Sequence, residues 1–225
     1  DRLAGVGDEG SKKLSDIKGV METPLVDIGS AVLGLKELVP SLDDLVVKAL
    51  SFADRTSSSC SLTKQQIAAV YLYTTGSKLY KTLNASLRDP DRTKIVPFFP
   101  YLRVLLSAFV SLFNSRASSI TVWRGVKLDL RKDYLRGKTV TWWGVSSCTN
   151  NKAVAEAFMG SSGVRMLFEI KAKCVSIKDF SAFAGEDEYI LRPGTQLDVV
   201  KVQKNPNGKV VVVLNARTDL EPLVG

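Results

Sequence analysis

The sequence predicts an α+β fold, with helices first and strands after them. Three observations carry this. Residues 26–113 place apolar side chains at helical spacing, the chain after Arg116 turns β-branched and aromatic, and no Gly-x-Gly-x-x-Gly follows a strand. A doubly wound nucleotide-binding sheet is therefore disfavoured, and no phosphate-binding P-loop is present either.

Taken in order, Val26 to Ala53 is mostly apolar and broken at Pro40. Leu33, Leu35 and Leu38, then Leu42, Leu45, Val46 and Leu50, suggest two short helices. Thr63-Lys64-Gln65-Gln66 has the capping-box pattern, a hydroxyl at the helix start with Gln three residues on. Ile67, Val70 and Tyr71, then Leu79, Tyr80, Leu83 and Leu87, continue at helical spacing, and Gly76 bends or splits the element. After Pro97 and Pro100, the residues Leu102, Leu105, Leu106, Phe109, Val110 and Phe113 mark an amphipathic helix.

The strands follow. Ile120 to Trp123, Thr139 to Cys148, Val164 to Ile170, Glu188 to Leu191, Thr195 to Val202 and Val210 to Val213 have strand composition. Ala153 to Phe158 is a short helix between them, Gly160-Ser161-Ser162-Gly163 a loop, and Asn205-Pro206-Asn207-Gly208 a tight turn. There is no internal repeat and no low-complexity linker. The expected division is a helical N-terminal extension over 1–60, packed on the core, and a main domain over 61–225.

Composition narrows the chemistry. The 225 residues are 45% apolar, enough for a substantial core, and no apolar run is read as long enough to span a bilayer. The chain holds no histidine, which excludes Ser-His-Asp and Cys-His catalysis and His-Cys zinc sites; acid–base work falls to carboxylates, Lys, Tyr or Cys. The three cysteines, Cys60, Cys148 and Cys174, form no disulfide framework, although one bridge with one free thiol is compatible with the count. The sequence starts at Asp1 with a polar segment and no visible secretory signal, so the expectation leans towards an intracellular setting. The net charge of +8 is scattered rather than gathered into an aromatic-interleaved strip, so no nucleic-acid partner is expected.

Three stretches stand out. In Glu186-Asp187-Glu188, an extended backbone would point Glu186 and Glu188 to one face and Asp187 away. Two carboxylates on one face repel, so a cationic ligand or transition state gives a reason for them; a solvated acidic hairpin tip is the plainer alternative. In Trp123-Arg124-Gly125-Val126, an arginine inside an apolar strand suits phosphate or carboxylate, and Gly125 would let a ligand approach the backbone; an edge strand with Arg124 in water is equally open. In Trp142 to Thr149, Ser146 or Ser147 could hold a carboxylate by a hydrogen bond; the alternative is a polar strand end with Thr149 or Asn150 capping the next helix.

Arg-Gly, then Ser-Ser-Cys, then Glu-x-Glu, in this order, resembles the R-S-E class of mono-ADP-ribosyltransferases, particularly its arginine-specific group. The resemblance runs from about Leu62 to about Leu214 and includes the helical segments Ala69 to Thr74 and Leu83 to Arg88. It implies a core of two packed β-sheets around an NAD cleft, with NAD as substrate, no metal, a protein acceptor carrying arginine, and a monomer. By the same resemblance, Arg124 binds NAD, the backbone of Gly125 bonds the nicotinamide amide, and Ser146, matching the first motif serine, positions Glu188. Glu188 matches the catalytic glutamate and Glu186 the upstream glutamate associated with an arginine acceptor. Phe158 resembles the aromatic that packs on nicotinamide in the loop after the serine motif, and Phe183 sits where the acceptor-recognition loop often carries an aromatic. The chain departs from the pattern in reading Ser-Ser-Cys rather than Ser-Thr-Ser, which leaves the third position, Cys148, without an assigned role. Transfer to arginine, hydrolysis of NAD by water and a catalytically silent binding module are the three functions this leaves. Residues 1–53 could in addition bind a partner or a membrane surface, though their apolar positions read more simply as core-packed helices.

Overall fold

A computed structural model describes residues 13–56, 61–218 and 223–225. The chain divides into two compact units. One is helical and contains Ser15–Ala117, Ile177–Glu186 and Leu223–Gly225; the other contains Ser118–Ser176 and 187–218 and holds every strand among the described residues. The first helices belong with the later ones, and the break in packing falls between Ala117 and Ser118.

In the helical unit, α1 (Ile28–Ala31) is capped by Asp27, whose carboxylate accepts from the Ser30 amide, and a 3₁₀ turn follows at Leu33–Leu35. The apolar run therefore gives one turn of α-helix and one 3₁₀ turn before Pro40, where Ser41 takes a positive φ of 59°. α2 (Leu42–Thr56) buries Leu42, Val46, Ala49 and Ala53. α3 (Lys64–Thr74) starts with the expected capping box: Thr63 accepts from the Gln66 amide and the Gln66 side chain accepts from the Thr63 amide. The Gln65 side chain accepts from the Ile28 amide at 2.8 Å, which ties α1 to α3. α4 (Lys78–Arg88) begins after Gly76, capped by Ser77.

A 3₁₀ segment at Arg92–Phe98 runs into α5 (Phe99–Arg116). Here the expectation of no bilayer-length segment needs amending: Arg92–Arg116 is long and apolar enough by length and composition. Its apolar residues are largely core. Leu102, Leu105, Ala108, Phe109 and Leu112 have no exposed surface, and the Tyr101 hydroxyl donates to the Ala69 carbonyl at 2.9 Å. Ile28, Ala31, Val32 and Leu35 are also buried, so much of the apolar stretch before Pro40 serves the core.

The strand unit contains β1 (Ser118–Val126), β2 (Thr139–Trp142), β3 (Ser146–Thr149), β4 (Arg165–Ser176), β5 (Glu188–Leu191), β6 (Thr195–Lys204) and β7 (Lys209–Ala216), with α6 (Lys152–Met159) between β3 and β4. The sheet order is β1-β3-β5-β4-β7-β6-β2, and β1 also pairs with β4. Strands β1, β3, β5 and β4 thus close on themselves, and the expected pair of sheets is joined into one hydrogen-bonded network. All pairings are antiparallel except β4 with β7.

The segment expected as one strand from Thr139 to Cys148 is two. β2 pairs with β6, whereas β3 pairs with β1 and β5, and Trp143-Gly144-Val145 makes the change of partner. One face of the network buries Val122, Val126, Phe168, Ile170, Val212, Leu214, Leu197 and Cys148. Trp142 stacks edge-on against Phe168, and its indole N–H donates to the Tyr134 hydroxyl at 2.7 Å. Cys148 is therefore a core residue, which accounts for a small apolar side chain at the third motif position.

Candidate active site

Strand register decides which side chains meet. Across β3 and β5, Thr149 lies opposite Glu188 and Ser147 opposite Ile190; across β1 and β3, Trp123 lies opposite Thr149. Directly opposed residues share a face, and side chains alternate along a strand. Ser147, Thr149 and Glu188 therefore share one face, while Ser146 and Cys148 take the other. The Ser147 hydroxyl donates to Glu188 Oε1 at 2.5 Å. The Ser146 hydroxyl donates instead to the Gly144 carbonyl at 3.2 Å. The serine that holds Glu188 is thus Ser147, and the assignment of that contact to Ser146 is corrected: a slip of one residue exchanges the faces.

Arg124 completes a chain of contacts. Its Nη1 donates to the carbonyl oxygen of Ser147 at 2.5 Å, so the guanidinium fixes the backbone of the residue whose hydroxyl grips Glu188. Arg124 is buried, which removes the edge-strand alternative in which it faces water. Glu188 has no exposed surface, and Ser147 and Thr149 are nearly as buried. A buried carboxylate is costly without partners, so Ser147 and the strand pairing hold it where water does not.

Gly125 has a different immediate cause from the expected ligand approach. A Cβ there would stand 2.0 Å from the Ala155 carbonyl oxygen and 2.5 Å from Met159 Cγ, so the missing side chain lets α6 lie against β1. The cap of α6 is Asn151, whose side chain accepts from the Ala153 amide, rather than Thr149 or Asn150. Thr149 accepts from the Asn151 amide at 3.1 Å, fixing the turn out of β3. Phe158 lies on α6 itself and is half-buried, not in a loop after the serine motif.

Phe183 and Glu186 belong to the helical unit. Glu186 lies in a bend before β5, so the extended backbone assumed for Glu186 and Glu188 does not reach Glu186. Its amide donates to the Phe183 carbonyl at 3.0 Å, closing a turn. The Phe183 amide donates to Ser181 Oγ, and the Ala182 amide donates to Thr74 Oγ1 at 2.8 Å, which anchors the segment to α3. Phe183 is exposed and Glu186 half-buried.

The sequence did not single out Thr149 as a member of this row, nor Ala155 and Met159 as the reason for Gly125. Alternation counted from Glu188 would have found Thr149 only with the β3–β5 register in hand.

Comparison with known proteins bears on the family and the fold. The family profile described as NAD:arginine ADP-ribosyltransferase matches residues 48–220. The erythroblast NAD(P)(+)–arginine ADP-ribosyltransferase of Gallus gallus is 33% identical over 153 residues, 64% of this chain and 49% of that protein. NAD(P)(+)–arginine ADP-ribosyltransferase 2 of Gallus gallus is 29% identical over 163 residues, 69% of this chain and 50% of that protein. The chain thus spans about half the length of the curated relatives it matches. Among solved structures, the ADP-ribosyltransferase Vis in complex with agmatine superposes with a TM-score of 0.59 at 20% identity, covering 89% of this chain and 90% of that one. Exoenzyme S from Pseudomonas aeruginosa, bound to human 14-3-3 protein beta and carba-NAD, gives 0.63 at 18% identity, covering 86% and 90%. These structures share the fold. With the profile spanning most of the sequence and Arg124, Ser147 and Glu188 linked in the strand unit, the chain belongs to the NAD:arginine ADP-ribosyltransferase family.

Proposed function

We propose that this protein transfers ADP-ribose from NAD to an arginine side chain of a protein acceptor and releases nicotinamide. The observation that carries the proposal is the chain from Arg124 through Ser147 to the buried carboxylate of Glu188. Breaking the bond between the ribose C1′ and the nicotinamide nitrogen sends the electron pair to the ring, which leaves neutral. Positive charge develops on the ribose, as in glycoside hydrolysis. A carboxylate hydrogen-bonded to the ribose 2′-hydroxyl strengthens its hold as that charge grows, which is stabilisation specific to the transition state. Ser147 sets the position of Glu188 beforehand, so little reorganisation is left for the reaction step.

The acceptor guanidine nitrogen then bonds C1′ and gives up a proton. Free arginine stays protonated at neutral pH, so it needs a carboxylate to orient it and to take that proton. Glu186 is the residue for this role, with Phe183 beside it in the same turn; both Gallus gallus relatives are named for arginine transfer, which supports the choice.

The test is nicotinamide release with and without agmatine, a small arginine analogue, for the native chain and two variants. Glu188→Gln is expected to lower NAD cleavage by about 10²- to 10³-fold, the effect typical of removing one transition-state contact. Glu186→Gln is expected to abolish the stimulation by agmatine while keeping hydrolysis. Near-normal NAD turnover by Glu188→Gln would end the proposal, and release indifferent to agmatine in the native chain would make water the acceptor.

A further inference from the structure

The strand network has a second face, opposite the one that buries Val122, Ile170 and Leu214. Part of this second face is covered by α6, which packs Ala155 and Met159 over Trp123, Leu167 and Val211. The remainder carries a cavity of about 630 Å³ lined by Ser119, Lys171, Lys173, Asn215 and Thr218. Register explains the lining: Ser119 lies opposite Lys173, and Lys171 opposite Asn215, so all four side chains leave the sheet on one side. Both lysines are exposed, and among the described residues neither is in an ion pair. The excess of Lys and Arg over Asp and Glu is concentrated in 118–176 and 187–218, whereas the helical stretch is nearly balanced.

We propose that this cavity is a docking site for an acidic segment of the protein acceptor, with carboxylates on alternating residues. Residues two apart on an extended strand repeat every ~6.6–7 Å, and this spacing holds for Lys171 and Lys173 as it does for two carboxylates on an extended peptide. The two ammonium groups stand side by side along β4. Among the described residues the lining holds no arginine and no helix residue, the groups that favour a single phosphate. Asn215, Ser119 and Thr218 supply neutral hydrogen-bonding groups for the peptide backbone. Trp123, in register with Thr149 and through it with Glu188, stands four residues after Ser119 on the same face of β1, roughly 13 Å along the strand. The acidic segment would therefore lie about four residues from the arginine that is modified. This docking site rests on the reading of the acceptor as a protein arginine.

The experiment uses two labelled peptides, one with glutamates at alternating positions ahead of an arginine and one with glutamines in their place. Fluorescence anisotropy is expected to show the glutamate peptide binding the native chain about fivefold more tightly, the difference two exposed ion pairs give. Lys171→Gln with Lys173→Gln should erase the difference, and Lys171→Glu with Lys173→Glu should shift preference to a peptide with lysines at those positions. In transfer assays the native preference should appear in KM, with turnover of agmatine unchanged by either double variant. Equal binding of the glutamate and glutamine peptides would overturn the proposal. So would binding of tripolyphosphate, lost in the double variants, without binding of the acidic peptide. Because anisotropy needs no transfer, discrimination between the peptides in a chain that modifies no arginine would keep the docking site and refute the acceptor assignment alone.

Discussion

The two units of this chain are specified in different ways. The helical unit is built from signals within a few residues of one another. Thr63 and Gln66 cap α3, Ser77 caps α4, and Asp27 caps α1. The strand unit is built from pairings between residues far apart in sequence. Ser147 meets Glu188 across 41 positions, and Arg124 reaches the Ser147 carbonyl across 23. Local signals set where a helix begins, but only register sets which side chains share a face. The proposed chemistry rests largely on the second kind of structure, where a one-residue shift would dismantle it.

Gly125→Val is the strongest way to break the strand unit. Its Cβ would collide with the Ala155 carbonyl, so α6 must move away from β1. A loss of about 3 kcal/mol or more in urea unfolding is expected, at the upper end of overpacking costs. Stability within 1 kcal/mol of the native chain would show that α6 is not pinned there.

Ser147→Ala against Ser146→Ala sharpens the point about register. The first leaves the buried Glu188 carboxylate short of a donor and is expected to slow NAD cleavage by about 10- to 100-fold, in line with a lost charge-assisted hydrogen bond. The second should change the rate less than about threefold, since it removes a contact to a backbone carbonyl. Equal effects would mean that the two hydroxyls do not differ in role.

Cys174 offers a pH test inside the strand unit. Burial pushes its thiol up to about 12 from an ordinary value of 9.0. Between these values the unfolded chain has lost the proton and the folded one keeps it. The unfolded state then binds fewer protons, and stability falls as pH rises. The expected slope is about 1.4 kcal/mol per pH unit over that window, and Cys174→Ala should remove this component. A variant with the same alkaline slope as the native chain would assign the loss to other groups.

The smallest effect is expected in the helical unit. Thr63→Ala removes the cap of α3 and should cost about 1 kcal/mol in thermal or urea unfolding, with NAD cleavage unchanged. A large fall in activity from this single cap would show that the helical unit also carries the chemistry.

Sequence periodicity located the helices well, because capping and amphipathic spacing are local. It placed strands less well: Thr139 to Cys148 reads as one β-rich run, and only the change of partner at Gly144 shows it to be two. Arg124, the serine pair and Glu188 were legible as an ordered triple. Their contacts were not, since matching to a motif placed Ser146 where the β3–β5 register places Ser147. Gly125 reads in the sequence as a ligand-approach glycine, whereas α6 packing explains it from within the fold.

By itself, the order of residues determined the class of fold, the absence of imidazole chemistry and the family. These depend on composition and on spacing along the chain. Tertiary structure alone decided which hydroxyl grips the buried carboxylate, which side of the network carries the two exposed lysines, and where the helical unit ends. Those outcomes depend on how distant strands are paired, and alternation along a strand turns each choice of register into a choice of face.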